Sequence, residues 1–280
     1  MQAAFYDSKK EMQSSNPVGV FDSGVGGLSV WCEMIKLLPH EHSIYYADSA
    51  FCPYGIKKPE EIIARCERIT NFLLSENCKM IVVACNTATA AAIDHLRATC
   101  TVPLVGMEPA VKPAALHSSS GIVGVLATRS TFKGRLYHET SERFAANVQI
   151  IEQAGDGLVE LVEAGKTDSE EAMTLLKKYI EPMLEAGIDH LVLGCTHYLF
   201  LIPAIQKITG HHVKILNSAP AIAKRIQFLL NENKLLNTSG ATAQHLFFSG
   251  GMVNTLEMMI QNMDILIALK QKLIYKNYLI

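Results

Sequence analysis

Short β-branched runs alternate with longer helical patterns along most of this chain, and that rhythm admits few folds. VGVF (18–21), SIYYA (43–47), MIVVA (80–84) and PLVGM (103–107) read as strands. Between them LSVWCEMIKLL (28–38), EEIIARCERITNFLLSEN (60–77) and TATAAAIDHLRAT (87–99) carry the helical period. Such alternation builds parallel sheets with helices on both faces. The rhythm restarts after VKPAALHSSS (111–120). GIVGVLA (121–127), VQIIEQ (148–153), HLVLG (190–194) and HVKILNS (212–218) read as strands. Helices are expected through residue 146, over 168–186 and in PAIAKRIQFLL (220–230), and HLFFSGG (245–251) as a last strand and turn before an amphipathic ending. The expected fold class is α/β: two similar α/β domains with mainly parallel sheets and the active site in the cleft between them. The expected division is a flexible lead at 1–16, a first domain from 17–109 plus 219–280, and a second at 110–218.

One echo says where chemistry sits. IVVACNT (81–87) and LVLGCTH (191–197) are both apolar runs that stop at a thiol followed by hydroxyl, amide or imidazole side chains. In open α/β sheets ligands bind beyond the carboxyl ends of the strands. Cys85, Cys195 and Asp22, which follows VGVF directly, all fall there. A duplicated architecture would deliver one thiol from each domain to a shared cleft.

Composition narrows the function classes. Of 280 residues, 25 are basic and 27 acidic, for a formal charge of −2, which argues against a nucleic-acid or anionic-membrane footprint. No apolar run reaches the roughly 18 residues of a membrane span, and MQAAFYDSKKEMQSSNP lacks the apolar segment of a secretory signal. Seven cysteines, none in a C-x-x-C pair, fit reduced thiols in the cytoplasm rather than disulfides or structural zinc. Cys32, Cys66, Cys78 and Cys100 read as core residues.

The glycine-rich VFDSGVGG (20–27) lacks both G-K-[ST] and the G-x-G-x-x-G spacing, so it reads as a tight strand-to-helix turn with glycine supplying positive φ. His197 is either a structural hydrogen-bonding residue or a partner of Cys195. His211 and His212 read as a solvated turn, not metal ligands. Two thiols facing one cleft suit a reaction that takes a proton from one face of a carbon and returns one to the other. A single-nucleophile hydrolase would need only one of them.

Taken together, VGVFDSGVGGLSV, ADSAFCPYG (47–55), VVACNTATA, GIVGVLATRST and LVLGCTHYLFL resemble bacterial glutamate racemases. The match runs in order from about Pro17 to Ser218. The resemblance implies a cofactor-independent, metal-free enzyme that interconverts L- and D-glutamate for peptidoglycan, and a homodimer. It implies that Cys85 takes the α-proton of D-glutamate and Cys195 that of L-glutamate, with Asp22 assisting the first and His197 the second. Ser23, the Pro53-Tyr54-Gly55 turn, Asn86, Thr87 and Thr196 would hold the substrate, together with Thr128 and Thr131. A further family acid falls at Glu163 of AGDGLVELVEAG (154–165), where the usual Cys-Pro-Leu-Phe part is absent and Glu160 competes one helical turn earlier. Leu199 and Asn217 stand where Pro and Asp are common. Alternatives are an aspartate racemase on the same scaffold, a Cys195/His197 hydrolase in which Cys85 is dispensable, and a non-catalytic binding protein for a small acidic ligand.

Overall fold

The computed structural model describes residues 13–144, 148–251, 253–261 and 272–280. Ten strands lie among them. Six form one sheet: β1 (Val18–Asp22), β2 (Ser43–Ala47), β3 (Met80–Val83), β4 (Leu104–Val105), β9 (Gln244–Ser249) and β10 (Lys272–Asn277), in the order β10-β9-β2-β1-β3-β4. The other four form a second: β5 (Ile122–Ala127), β6 (Gln149–Ala154), β7 (His190–Gly194) and β8 (Lys214–Leu216), in the order β6-β5-β7-β8. Every pairing is parallel. The orders β2-β1-β3-β4 and β6-β5-β7-β8 are the same path traced twice, and β3 and β7, the strands of the echo, occupy the same place in each.

That path fixes the sites. From β1 the chain moves to β2 on one side, then crosses back to β3 on the other, so a crevice opens between β1 and β3. The same reversal opens one between β5 and β7. These are the topological switch points at which α/β sheets bind ligands. Asp22 ends β1, and Cys85 lies two residues past Val83 of β3, the partner of Phe21. In the second sheet Ala127 pairs with Gly194, which puts Thr128 and Cys195 side by side just beyond the ladder.

Central strands are covered along their whole length, and all five residues of β1, β2 and β7 are buried, the polar Asp22, Ser43 and His190 among them. The helix Pro59–Ser75 shows how local chemistry sets an element. Pro59 opens it, Glu61 returns its carboxylate to the Lys58 N–H at 3.2 Å, and Glu60 and Glu61 complement the helix dipole. Asn77, at φ 60°, stops it, and the Cys78 N–H closes back on the Leu73 carbonyl at 3.0 Å. Ile62, Cys66, Ile69 and Leu73 form its buried stripe. Truncating Ile69 to Ala would destabilise the fold by about 2–5 kcal/mol. One continuous core joins Val20 and Trp31 on the first sheet's side to Leu191 and Ile205 on the second's.

Several expected elements differ in extent. PLVGM and HVKILNS shrink to β4 and β8, edge strands with a ladder partner on one side only. The helix expected through residue 146 is two, Arg129–Phe132 and Arg135–Phe144, parted at Gly134, and its end at 145–147 lies outside the described residues. The amphipathic ending supplies β10, parallel to β9, while 262–271 lies outside the described residues. So does most of the lead, 1–12. No helix among the described residues is long and apolar enough to cross a membrane.

Candidate active site

The two switch points face each other across a narrow cavity lined by Ser23, Pro53, Tyr54, Gly55, Cys85, Asn86, Thr87, Thr128, Val159, Cys195, Thr196 and His197. Eleven of the fourteen residues expected from the sequence line it. Asp22, Glu163 and Thr131 do not, and each stands directly behind a residue that does.

Cys85 ends its strand as the N-cap of the helix Asn86–Thr99, its sulfur accepting from the Ala88 N–H at 3.5 Å. Its thiol donates to Ser23 Oγ at 3.7 Å, and Ser23 donates on to Asp22 Oδ1 at 3.4 Å. Burial, and next the Asp22 carboxylate, push the Cys85 thiol well above its ordinary range, against the pull of the Ala88 N–H and the Ser23 hydroxyl. Asp22 is wholly buried and accepts from the Gly24 N–H at 2.8 Å and from Thr196 Oγ1 at 3.0 Å, across the cleft. Burial raises its carboxyl to about 6, against the opposing pull of His197. Asp22 therefore reaches Cys85 through Ser23 and through its field, not by direct contact.

Cys195 stands at the other switch point, followed by a 3-10 helix, Thr196–Leu201, without a side-chain cap bond. Its partner is His197, whose Nδ1 lies 4.0 Å from Cys195 Sγ and whose Nε2 lies 2.7 Å from Glu163 Oε1. Burial of His197 disfavours its cation. Hydrogen bonds with Cys195, Cys52 and Glu163, and the Asp22 charge, outweigh that and hold its proton affinity well above the ordinary imidazole range. Glu163 also accepts from the Val25 N–H at 2.7 Å, whereas Glu160 is exposed. Geometry thus separates two acids that the sequence leaves as equals.

The glycine loop has a different reason from the expected one. Gly24, Gly26 and Gly27 are not among the residues at positive φ. A Cβ on Gly24 would collide with the Glu163 carboxylate, and one on Gly26 with the His197 ring. Glycine lets β1's turn approach the other sheet's acid and imidazole. Further ties cross the same seam: Thr87 Oγ1 and Thr128 Oγ1 at 2.8 Å, and Ser130 Oγ donating to the Gly55 carbonyl at 2.9 Å. Thr131 bonds Thr128 at 2.9 Å and orients it.

The Tyr54 turn follows the cis Cys52–Pro53 bond and is anchored from beneath. Tyr54 donates to Asp48 Oδ2 at 2.6 Å, and Arg65 grips the same carboxylate through Nε at 3.0 Å and Nη2 at 2.6 Å. Asn86 Oδ1 is buried on the cavity wall without a hydrogen-bond partner, an acceptor suited to a ligand's ammonium.

Sequence reasoning missed three residues. Val159 supplies an apolar wall, and a single valine in LVELVE gives no signal of that. Asp48 could have been singled out as an acid at the end of β2. Cys52, within ADSAFCPYG, forms with Glu163 and His197 the one metal-capable group among the described residues.

Residues 30–226 match the family described as Asp/Glu/Hydantoin racemase. A glutamate racemase of Herpetosiphon aurantiacus is 49% identical over 221 residues, 79% of this chain and 87% of that protein. Among solved structures, a glutamate racemase of Bacillus anthracis aligns over 95% of this chain and 98% of its own, at 30% identity and a TM-score of 0.81. The Escherichia coli glutamate racemase, solved with L-glutamate and the activator UDP-MurNAc-Ala, aligns over 93% and 98% at 34% identity and the same TM-score. The chain belongs to the Asp/Glu/hydantoin racemase family and, within it, to the glutamate racemases.

Proposed function

We propose that this chain, a glutamate racemase, works with Cys85 and Cys195 as two opposed bases. The observation that carries the reading is one thiol at each of two equivalent switch points, both on the wall of one narrow cavity. A planar carbanion held between them can lose a proton on one face and gain one on the other. At rest Cys85 keeps its proton under the influence of burial and Asp22, while the protonated His197 faces Cys195. In the L-to-D direction Cys195 takes the α-proton beside the His197 imidazole and Cys85 reprotonates the other face. For D-glutamate the roles reverse. Asp22 and Glu163 are positioning residues, acting through Ser23 and His197.

The α-proton of an amino acid is far less acidic than a thiol. Its removal needs donors aimed at the charge that develops on the carboxylate, in a site from which water is excluded. The first N–H groups of the helix Asn86–Thr99 and the hydroxyls of Ser23, Thr87, Thr128 and Thr196 supply donors of that kind. Asn86 Oδ1 takes the ammonium. The Tyr54-Gly55 turn, fixed by Asp48 and Arg65, forms part of the cavity wall, and the likeness to glutamate racemases favours glutamate over aspartate. All seven cysteines are free thiols, which supports work in a reducing compartment, with D-glutamate destined for peptidoglycan.

Loss of optical activity tests the proposal. Purified, reduced protein without added cofactor should racemise L-glutamate far faster than L-aspartate. Equal or greater turnover of aspartate would overturn the substrate assignment. Retained turnover in Cys85→Ser would favour the hydrolase-type arrangement built on Cys195 and His197.

A further inference from the structure

Against the reacting cavity lies a constellation that joins two of its groups to a thiol the proton transfer does not use. Cys52 Sγ, a carboxylate oxygen of Glu163 and a ring nitrogen of His197 all lie within 4.8 Å of one another. Cys52 does not line the cavity. It is half-buried, one residue before the Pro53-Tyr54 turn, with its sulfur beside the His197 ring. The three ligands come from three segments: the loop after β2, the helix Leu158–Glu163 and the turn after β7. The glycine loop roofs them, where a Cβ on Gly24 would lie 3.2 Å from Cys52 Sγ and would collide with Glu163.

One thiolate, one imidazole and one carboxylate are the donors zinc selects, and three protein ligands with a fourth position open is a common zinc arrangement. Magnesium and calcium, which prefer oxygen alone, do not suit this set. From this geometry we infer that Cys52, His197 and Glu163 form an inhibitory site for a thiophilic divalent cation such as Zn²⁺, built onto the catalytic imidazole. Cys52 binds as thiolate, its proton passing to solvent. His197 binds as the neutral imidazole, and the proton its coordinating nitrogen carried also passes to solvent. The ion also competes with His197 for the Glu163 carboxylate, which accepts from the Val25 N–H at 2.7 Å. The cation is therefore not a cofactor of the reaction. It disarms the Cys195 side and leaves Cys85 and its helix untouched.

The inhibition, though not the binding, rests on the racemase reading, so the two are measured separately. Zn²⁺ binding is followed by calorimetry on the full chain in a non-chelating reductant, with Co²⁺ as a spectroscopic probe. The expected result is one ion per chain and a thiolate-to-cobalt charge-transfer band. Cys52→Ser and Cys52→Ala should lose the band and weaken Zn²⁺ binding by at least about 100-fold, while Cys100→Ser, at a half-exposed position far from these ligands in the chain, binds as wild type. Zn²⁺ should also stop racemisation, a chelator should restore it, and Cys52→Ser should racemise without being inhibited. Absence of binding, unchanged binding in Cys52→Ser, or loss of the band in Cys195→Ser with retention in Cys52→Ser would each overturn the site. If the wild type bound zinc in this manner but did not racemise glutamate, the racemase mechanism would fail and the metal site would stand.

Discussion

The corner around Cys85 and the corner around Cys195 begin alike and are finished differently. Each thiol follows the third strand of the same four-strand path, at a switch point. Cys85 caps a helix of fourteen residues and faces a hydroxyl backed by a buried carboxylate. Cys195 opens a short 3-10 turn and faces an imidazole backed by a half-buried carboxylate. A helix N-terminus alone lowers a thiol's proton affinity. At Cys85 burial and Asp22 win over it, and the proton stays on. The repeated strand path supplies two like thiols. Their neighbours differ: a hydroxyl and a buried carboxylate at Cys85, an imidazole and a half-buried carboxylate at Cys195.

The largest break in that pairing is removal of either sulfur. Cys85→Ser and Cys195→Ser should each lower racemisation by roughly 10³- to 10⁴-fold with the fold intact by circular dichroism. If one variant kept near-normal turnover, the two corners would not be functionally equivalent.

Next come the groups behind the thiols, His197→Asn and Asp22→Asn, each expected to cost about 10²-fold. The equilibrium constant between enantiomers is fixed, so kcat/KM must fall equally in both directions and cannot tell the corners apart. The α-deuterium isotope effect can. His197→Asn should raise it from L-glutamate and lower it from D-glutamate, and Asp22→Asn should do the reverse. The same direction of change in both variants would contradict the assignment of one helper to each corner.

Asp22 also makes a statement about stability. Its folded pKa, about 6, lies above the ordinary 3.8, so the folded state binds the extra proton between those values. Stability should therefore fall as pH rises through that window, with a penalty of the order of 3 kcal/mol once Asp22 is ionised. Asp22→Asn removes the penalty. Thermal unfolding at pH 4 and pH 8 should show the variant gaining on wild type at the higher pH, and a constant difference would refute the raised pKa.

Smaller effects should divide the two acids of LVELVE. Glu163→Gln keeps the shape but weakens the hold on His197, for a loss of about tenfold at the low end of such positioning effects. Glu160→Gln, at an exposed position, should alter stability by no more than about 0.5 kcal/mol and leave turnover alone.

The corners were legible to unequal degrees. Strand rhythm and the repeated strand-Cys ending locate Cys85, Cys195 and Asp22, because strand ends and switch points follow from topology. Glu163 could not be told from Glu160 by spacing, since one helical turn separates them and only the packing of the helix Leu158–Glu163 against His197 decides. The glycines of VFDSGVGG suggest unusual φ, whereas the cause is the approach of Glu163 and His197 from the other sheet, which is a tertiary fact. Thr131 shares a motif with Thr128 and a hydrogen bond with it, yet stands one layer back from the cavity. Cys52 passed unremarked because its importance lies in two ligands more than 100 positions away.

The most direct test of two opposed bases is the fate of the proton at the earliest stage of reaction. The protein is incubated with L-glutamate in D₂O, stopped early, and the α-deuterium content of each enantiomer is measured separately. With a thiolate on one face and a thiol on the other, the D-glutamate formed should carry solvent deuterium while the recovered L-glutamate keeps its proton, and starting from D-glutamate should give the mirror result. Deuterium appearing in recovered substrate as fast as in product would mean that one base serves both faces, and the account built on Cys85 and Cys195 would be contradicted.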